Sequence, residues 1–177
     1  MANTSPLLLL LGDSLIDYGE WHRRLPEYRT ISSGIPGETT SGLLSRLPSG
    51  LSGGDPDGII LMSGTNDLML GYQGFVQTLD QISVILRRNF PLSEMIITSL
   101  LPYEIPGLLE LIRSVNEELT CVAEKNDCHY FDLFAEFENS FAPLFDYDGV
   151  HLSNSGYELW AQCLVENLPG LLVKGRN

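Results

Sequence analysis

A run of five leucines, residues 7–11, ends abruptly at Gly12-Asp13-Ser14 and constrains the fold more than any other stretch. An apolar run this short, bounded by a glycine, predicts a fully buried strand, because a core helix needs a longer one. A helical pattern begins directly afterwards, so Ser14 is expected where a strand ends and a helix begins. Helix N-terminal amides stabilise anions there. Taken alone, the stretch is equally compatible with a serine that only caps the helix.

Short apolar runs and amphipathic patterns alternate along the rest of the chain. The pattern predicts strands at residues 7–11, 28–31, 58–62, 95–98 and 129–132, and helices at 16–25, 40–47, 74–88, 107–125 and 154–168. Residues 48–57 are expected to form a surface connection, and residues 133–148 to be irregular or partly helical. Such alternation indicates a parallel sheet covered on both faces. We predict one domain over residues 1–177 with an α/β fold, a doubly wound three-layer α/β/α sandwich of about five strands.

The charge balance excludes some partners. With 23 acidic against 10 basic residues, the formal net charge of the 177-residue chain is -13. Such a field repels phosphate backbones and anionic lipid surfaces, so we expect neither nucleic-acid binding nor stable membrane association. The first six residues carry no positive charge, which is unlike a signal peptide and leads us to expect a cytoplasmic protein. Cys121, Cys128 and Cys163 lack the spacing of a metal site and are expected to be buried hydrophobic residues.

Several polar residues are expected at one edge of the sheet, because ligands bind beyond the carboxyl ends of parallel strands. Ser14 follows the first strand, Gly34 the second and Asn66 the third, and Asp148 and His151 lead into the final helix. Each has a structural interpretation when taken alone. Glycine is common in turns, asparagine caps helices, and an Asp-x-x-His stretch fits a turn that carries a surface histidine.

Together these residues provide what nucleophilic catalysis requires. Serine needs an adjacent base, which His151 supplies, and Asp148 lies three residues earlier, where it can hold the imidazole in one tautomer. A tetrahedral intermediate then needs hydrogen-bond donors for its oxyanion. The backbone N–H groups of Ser14 and Gly34 and the side-chain amide of Asn66 are the candidates for this oxyanion hole.

The sequence resembles the SGNH hydrolases, also called GDSL esterases/lipases. The resemblance rests on four blocks in the expected order: Gly12-Asp13-Ser14-Leu15, Gly34, Gly64-Thr65-Asn66-Asp67, and Asp148-Gly149-Val150-His151. It implies a flavodoxin-like fold and hydrolysis of esters or thioesters. It also implies catalytic Ser14, Asp148 and His151 and an oxyanion asparagine at Asn66. Ser32 departs from the pattern, because the family often has asparagine two residues before the block-two glycine.

We therefore expect a serine esterase that acts through an acyl-enzyme on short- to medium-chain acyl or acetyl esters, with no cofactor and no metal. An acyltransferase using the same triad and a non-catalytic flavodoxin-like binding module are the alternatives. A metal hydrolase is least favoured, because the three histidines are scattered. An apolar wall for the acyl group is expected from Met69, Leu70, Tyr72, Leu100, Leu101 and Tyr103, although these side chains are equally expected simply to pack the loops. The residues expected to contact substrate are Asp13, Leu15, Thr65, Leu101, Tyr103 and Val150.

Overall fold

The computed structural model describes residues 5–50 and 54–172, and its centre is a parallel five-stranded sheet. The strand order is β2-β1-β3-β4-β5, which confirms the predicted doubly wound, flavodoxin-like arrangement. β1 and β3 are buried along their whole length, because central parallel strands are covered by helices on both faces. The strands are β1 (Leu7–Gly12), β2 (Arg29–Gly34), β3 (Gly58–Met62), β4 (Glu94–Thr98) and β5 (His129–Phe131).

Helices cover the sheet in two layers. The crossover from β1 to β2 runs in the opposite direction from the crossover between β2 and β3, so right-handed connections place their helices on opposite faces. α3, α5 and α6 pack in succession on one side, and α2, α8 and α7 on the other. In the described residues the helices are α1 (Ser14–Asp17), α2 (Trp21–Arg24), α3 (Thr40–Gly50), α4 (Thr65–Met69), α5 (Phe75–Asn89), α6 (Leu109–Lys125), α7 (Leu133–Glu138) and α8 (Asn154–Leu171).

The single helix predicted over residues 16–25 is wrong, because the chain turns between α1 and α2. Glu20 adopts a left-handed backbone conformation with φ of 43°. Trp21 folds back onto α1, where its Nε1 donates to the Ile16 carbonyl at 2.7 Å. Its indole is buried edge-on against Trp160 of α8. Packing of this one aromatic ring therefore replaces a continuous helix with two short ones.

Strand β2 is longer than predicted and includes residues 32–34, which were expected to form a loop. These residues pair in register with β1, Ser32 opposite Leu10 and Gly34 opposite Gly12. Their polar side chains are tolerated because β2 lies at the edge of the sheet. The predicted surface connection over residues 48–57 is also shorter, since α3 continues to Gly50. Residues 51–53 of that connection lie outside the described residues.

Not every predicted apolar residue is buried. Cys163 is buried and Cys128 partly so, but Cys121 is exposed, which corrects the prediction for that residue. Leu111 of α6 and Val165 of α8 are also exposed, although both are apolar residues of predicted amphipathic helices. Within the described residues, no helix is long and apolar enough to cross a membrane.

Candidate active site

The predicted site residues converge at the carboxyl edge of the sheet. Ser14 follows β1, Asn66 follows β3, and Gly34 is the last residue of β2. His151 lies in the segment before α8. The crossovers on either side of β1 leave in opposite directions, and the crevice beside such a strand is where doubly wound folds bind ligands.

Three side chains form a hydrogen-bonded row. Ser14 Oγ lies 3.0 Å from His151 Nε2, and His151 Nδ1 lies 2.6 Å from Asp148 Oδ2. Asp148 Oδ1 accepts the backbone N–H groups of Val150 and His151, each at 2.9 Å. The hydrogen bonds from His151 and from Val150 N–H lower the pKa of Asp148 to about 2. An ionised carboxylate can only accept, so Nδ1 donates to it and Nε2 is left to accept the proton of the serine hydroxyl.

The row is open to solvent at one end. The side chains of His151 and Asp148 are 37% and 36% exposed, whereas Ser14 is only 7% exposed. Ser14 is the first residue of α1, and Asp13 caps this helix by accepting Leu15 N–H at 3.0 Å. A small molecule can thus reach the imidazole from solvent, while the serine lies at the base of the site.

Gly34 packs so closely against α1 that no side chain fits. A Cβ atom at this position would lie 2.4 Å from Asp17 N and 2.6 Å from the Asp13 carbonyl oxygen. The next residue, Ile35, donates its N–H to the Gly12 carbonyl at 3.1 Å. Because successive N–H groups of a strand point in opposite directions, the N–H of Gly34 faces away from β1, at the open edge of the sheet.

Asn66 is oriented by the loop that follows β2. Its Nδ2 donates to the Glu38 carbonyl at 2.9 Å, and no group in residues 5–50 or 54–172 accepts its second amide hydrogen. The neighbouring residue, Asp67, adds two more hydrogen bonds. Its carboxylate accepts the backbone N–H of Thr40 at 2.8 Å and the Thr40 hydroxyl at 3.0 Å. Three hydrogen bonds therefore join α4 to the β2–α3 loop and to the first residue of α3.

Asp13 is fully buried behind Ser14. Burial raises the pKa of its carboxyl from 3.8 to about 6, against the lowering effect of Leu15 N–H and the Thr65 hydroxyl. Among the described residues, Oδ2 has no partner with hydrogen-bonding geometry. The Thr65 hydroxyl also pairs with the Tyr103 hydroxyl at 2.8 Å. The hydrogen bonds to this carboxyl therefore only partly offset the cost of burying its charge.

The structure separates the predicted apolar wall into buried and exposed parts. Leu100, Leu101 and Tyr103 belong to the hydrophobic core, which favours the interpretation that they pack the loop after β4. Leu70 and Tyr72 are exposed, on the segment after α4. Of the residues expected to contact substrate, five have buried side chains and Val150 is partly buried, so their direct contact with a ligand stays a prediction. The five are Asp13, Leu15, Thr65, Leu101 and Tyr103.

Two further features surround the row, and the second of them was missed from the sequence. The ring of Tyr18 lies 5.7 Å from the imidazole of His151, centroid to centroid, and this tyrosine is 50% exposed. Arg46 reaches back from α3 to contact both Ser33 and Glu38. The only sequence signal for these contacts is Arg46 itself, a basic residue within the leucine-rich pattern of α3.

The chain combines a flavodoxin-like parallel sheet with a serine, a histidine and an aspartate in one hydrogen-bonded row at its carboxyl edge, an arrangement that recurs in serine hydrolases. Residues 10–159 match the model of the GDSL-like lipase/acylhydrolase family. The match covers most of the chain, which therefore belongs to this family, as the resemblance implied. Within the described residues, no group of three metal-binding side chains accompanies the row.

Several solved structures share this fold. A Streptococcus pneumonia protein provisionally assigned as a platelet activating factor is 25% identical, with a TM-score of 0.83 over 95% of this chain and 86% of that one. A lipase/acylhydrolase from Enterococcus faecalis is 21% identical, with a TM-score of 0.76 over 93% and 96%. An acetylxylan esterase from Geobacillus stearothermophilus is 20% identical, with a TM-score of 0.75 over 92% and 94%. A comparison with curated proteins found no match.

Proposed function

We propose that this protein is a serine esterase that cleaves carboxylic esters through an acyl-enzyme. The observation that carries the proposal is the continuous row from Ser14 Oγ through His151 to the Asp148 carboxylate, with separations of 3.0 and 2.6 Å. A serine hydroxyl within hydrogen-bond reach of a base, with that base oriented by an acceptor, is the arrangement that activates a serine nucleophile.

The row supports a reaction in two halves. Ser14 Oγ attacks the ester carbonyl carbon while its proton moves to His151 Nε2. The tetrahedral intermediate collapses, the carbon–oxygen bond to the alcohol breaks, and Nε2 returns the proton to the leaving oxygen. Water then attacks the acyl-enzyme, gives its proton to Nε2, and releases the acid as Ser14 regains its proton. Asp148 stays ionised throughout and stabilises the imidazolium, in keeping with its lowered pKa.

Three donors are available for the oxyanion. Ser14 N–H is at the first position of α1, where an amide has no acceptor within its own helix. Gly34 N–H faces away from the β1 ladder, and the second amide hydrogen of Asn66 is free of acceptors in the described residues. We assign these three groups to the oxyanion hole, whose donors stabilise the charge that forms on the carbonyl oxygen.

Short- to medium-chain acyl esters or acetyl esters are the proposed substrates. Tyr18, whose ring lies beside His151, is exposed and offers contact surface at the row. Three more apolar or aromatic side chains are exposed after β2 and α4: Ile35, Leu70 and Tyr72. The net charge of -13 disfavours polyanionic substrates. The name of the similar acetylxylan esterase supports acetyl esters as one member of this class.

Hydrolysis of p-nitrophenyl acetate, butyrate and octanoate by wild type and Ser14→Ala tests the proposal. We expect Ser14→Ala to lose at least a thousandfold in kcat. Ser45→Ala, an exposed serine on α3, is the matched control and should retain wild-type activity. Hydrolysis of none of these esters by wild type, or full activity in Ser14→Ala, would contradict the proposal. Product analysis with an added alcohol acceptor distinguishes hydrolysis from acyl transfer.

A further inference from the structure

A largely buried ion pair lies outside the Ser14–His151–Asp148 row, next to the residues that carry two of the assigned oxyanion donors. Arg46 Nε donates to both carboxylate oxygens of Glu38 at 2.8 and 3.0 Å, and Nη2 adds a third bond at 2.8 Å. The Glu38 side chain is 9% exposed and that of Arg46 is 21% exposed. We call this pair the Arg46–Glu38 clamp. A planar guanidinium bound to a carboxylate at several points fixes orientation as well as distance.

The same guanidinium holds the peptide unit that carries the Gly34 N–H. Arg46 Nη2 donates to the Ser33 carbonyl at 2.7 Å, and Nη1 donates to the Ser33 hydroxyl at 2.7 Å. The Ser33 carbonyl and the Gly34 N–H belong to one planar amide and point in opposite directions. Pairing with β1 sets the direction of this N–H, and donation from Arg46 to the carbonyl holds the peptide unit more firmly and polarises the N–H as a donor.

The clamp also reaches the second donor through the backbone of Glu38. The carbonyl of this residue accepts Asn66 Nδ2 at 2.9 Å. Rotation about the terminal torsion of an asparagine side chain is broad and roughly two-fold, so its amide needs a partner to keep one orientation. The Glu38 carbonyl provides that partner and directs the other amide hydrogen of Asn66 away from the loop.

We propose that Arg46 is a positioning residue that sets the geometry of two oxyanion donors, Gly34 N–H and the Asn66 amide. This inference rests on the proposed esterase function. Arg46 acts through Ser33 and Glu38 rather than on the substrate. Stabilisation of an oxyanion depends on donors that are in place before the charge develops, so loosening the clamp should slow the chemical step more than it weakens substrate binding.

The test compares Arg46→Met and Arg46→Lys with wild type on p-nitrophenyl acetate. We expect kcat to fall on the order of tenfold or more in Arg46→Met, with KM changed by less than about threefold. Arg46→Lys keeps the charge but lacks the planar guanidinium, so its kcat should lie between those of wild type and Arg46→Met. Arg113→Met is the matched control, because it breaks an arginine–glutamate pair with Glu138, between α6 and α7, and should keep the wild-type kcat. An unchanged kcat in Arg46→Met would overturn the inference.

A double-mutant cycle separates positioning from general loosening of the fold. If Arg46 acts through Asn66, the loss caused by Arg46→Met should be several-fold smaller in the Asn66→Ala background than in wild type. Losses that multiply independently would overturn the inference. Should Arg46→Met fail to fold, Arg46→Lys and Glu38→Gln carry the same cycle. Wild type that hydrolyses no ester would instead count against the proposed function, which keeps the two failures distinct.

Discussion

The backbone N–H of Glu104 donates to the carbonyl of Gly149 at 2.8 Å, which ties the loop after β4 to the segment that holds Asp148 and His151. Gly149 adopts a φ of 69°, and a Cβ atom there would lie 3.0 Å from the Glu104 carbonyl oxygen. The position of the proposed base thus depends on a close contact between two loops, where the added side chain would be both strained and crowded.

Gly149→Ala is expected to destabilise the protein by about 1–2 kcal/mol through the left-handed conformation alone. Displacement of the segment should also lower kcat, since the imidazole would move relative to Ser14. Gly107→Ala provides the matched control, because Gly107 has a φ of 84° with no atom near the added Cβ. Denaturant unfolding and ester hydrolysis measure the two effects. Equal losses of activity in both variants would count against a role for the Glu104 contact.

Asn66→Ala should lower kcat by about a hundredfold or more, because one oxyanion donor is removed. KM should change little. Thermal unfolding should still be cooperative, with a midpoint only slightly below that of wild type, because the substitution removes one hydrogen bond to Glu38. Asn66→Asp is a sharper variant, since it places a negative charge near the developing oxyanion and should be slower than Asn66→Ala. An Asn66→Ala enzyme with wild-type kcat would remove this residue from the oxyanion hole.

Asp148→Asn should reduce kcat on the order of 10⁴-fold. The amide can still accept the Val150 and His151 N–H groups, so the turn is kept. Its NH₂ group, however, would face Nδ1 and favour the tautomer in which Nε2 carries a proton and cannot accept one from Ser14. Steady-state kinetics on p-nitrophenyl acetate measures this loss. A reduction of less than tenfold would show that Asp148 does not set the tautomer.

Asp13→Asn should change how stability depends on pH. The pKa of Asp13 is raised from 3.8 to about 6 in the folded state, so between these values the folded protein binds more protons than the unfolded chain. The contribution of Asp13 to stability is therefore fully present below about pH 4 and is lost as pH rises past 6. Relative to Asp13→Asn, wild type should lose about 3 kcal/mol between pH 4 and pH 7. Urea unfolding at several pH values measures the difference, and a constant difference would contradict the assignment.

The sequence predicted the features that depend on local pattern. Buried parallel strands are continuous apolar runs, so β1 and β3 could be located, and the fold then places Ser14 and Asn66 at the same edge. The break between α1 and α2 could not be predicted, because it depends on the packing of Trp21 against Trp160. Pairing with β1 likewise lengthened β2 beyond its apolar residues.

The clamp shows why the surroundings of a site are harder to predict than its central residues. The Gly-Asp-Ser and Asp-x-x-His stretches are contiguous, and each carries its chemistry in a short pattern. The contact between Arg46 and Glu38 joins residues on a helix and a loop, and its link to Asn66 runs through a backbone carbonyl. A backbone acceptor can belong to any residue type, so no pattern of side chains marks it.

The position of β2 at the edge of the sheet has a consequence for assembly. At this edge, a strand from another molecule could extend the sheet only by hydrogen bonding to the outward-facing amides of β2, and Gly34 N–H is one of them. Under the proposed function, that amide belongs to the oxyanion hole. Strand addition reaching the carboxyl end of β2 would then compete with the reaction for a single hydrogen. Oligomers that form along this edge would be inactive, and occupation of the oxyanion hole would hinder their growth.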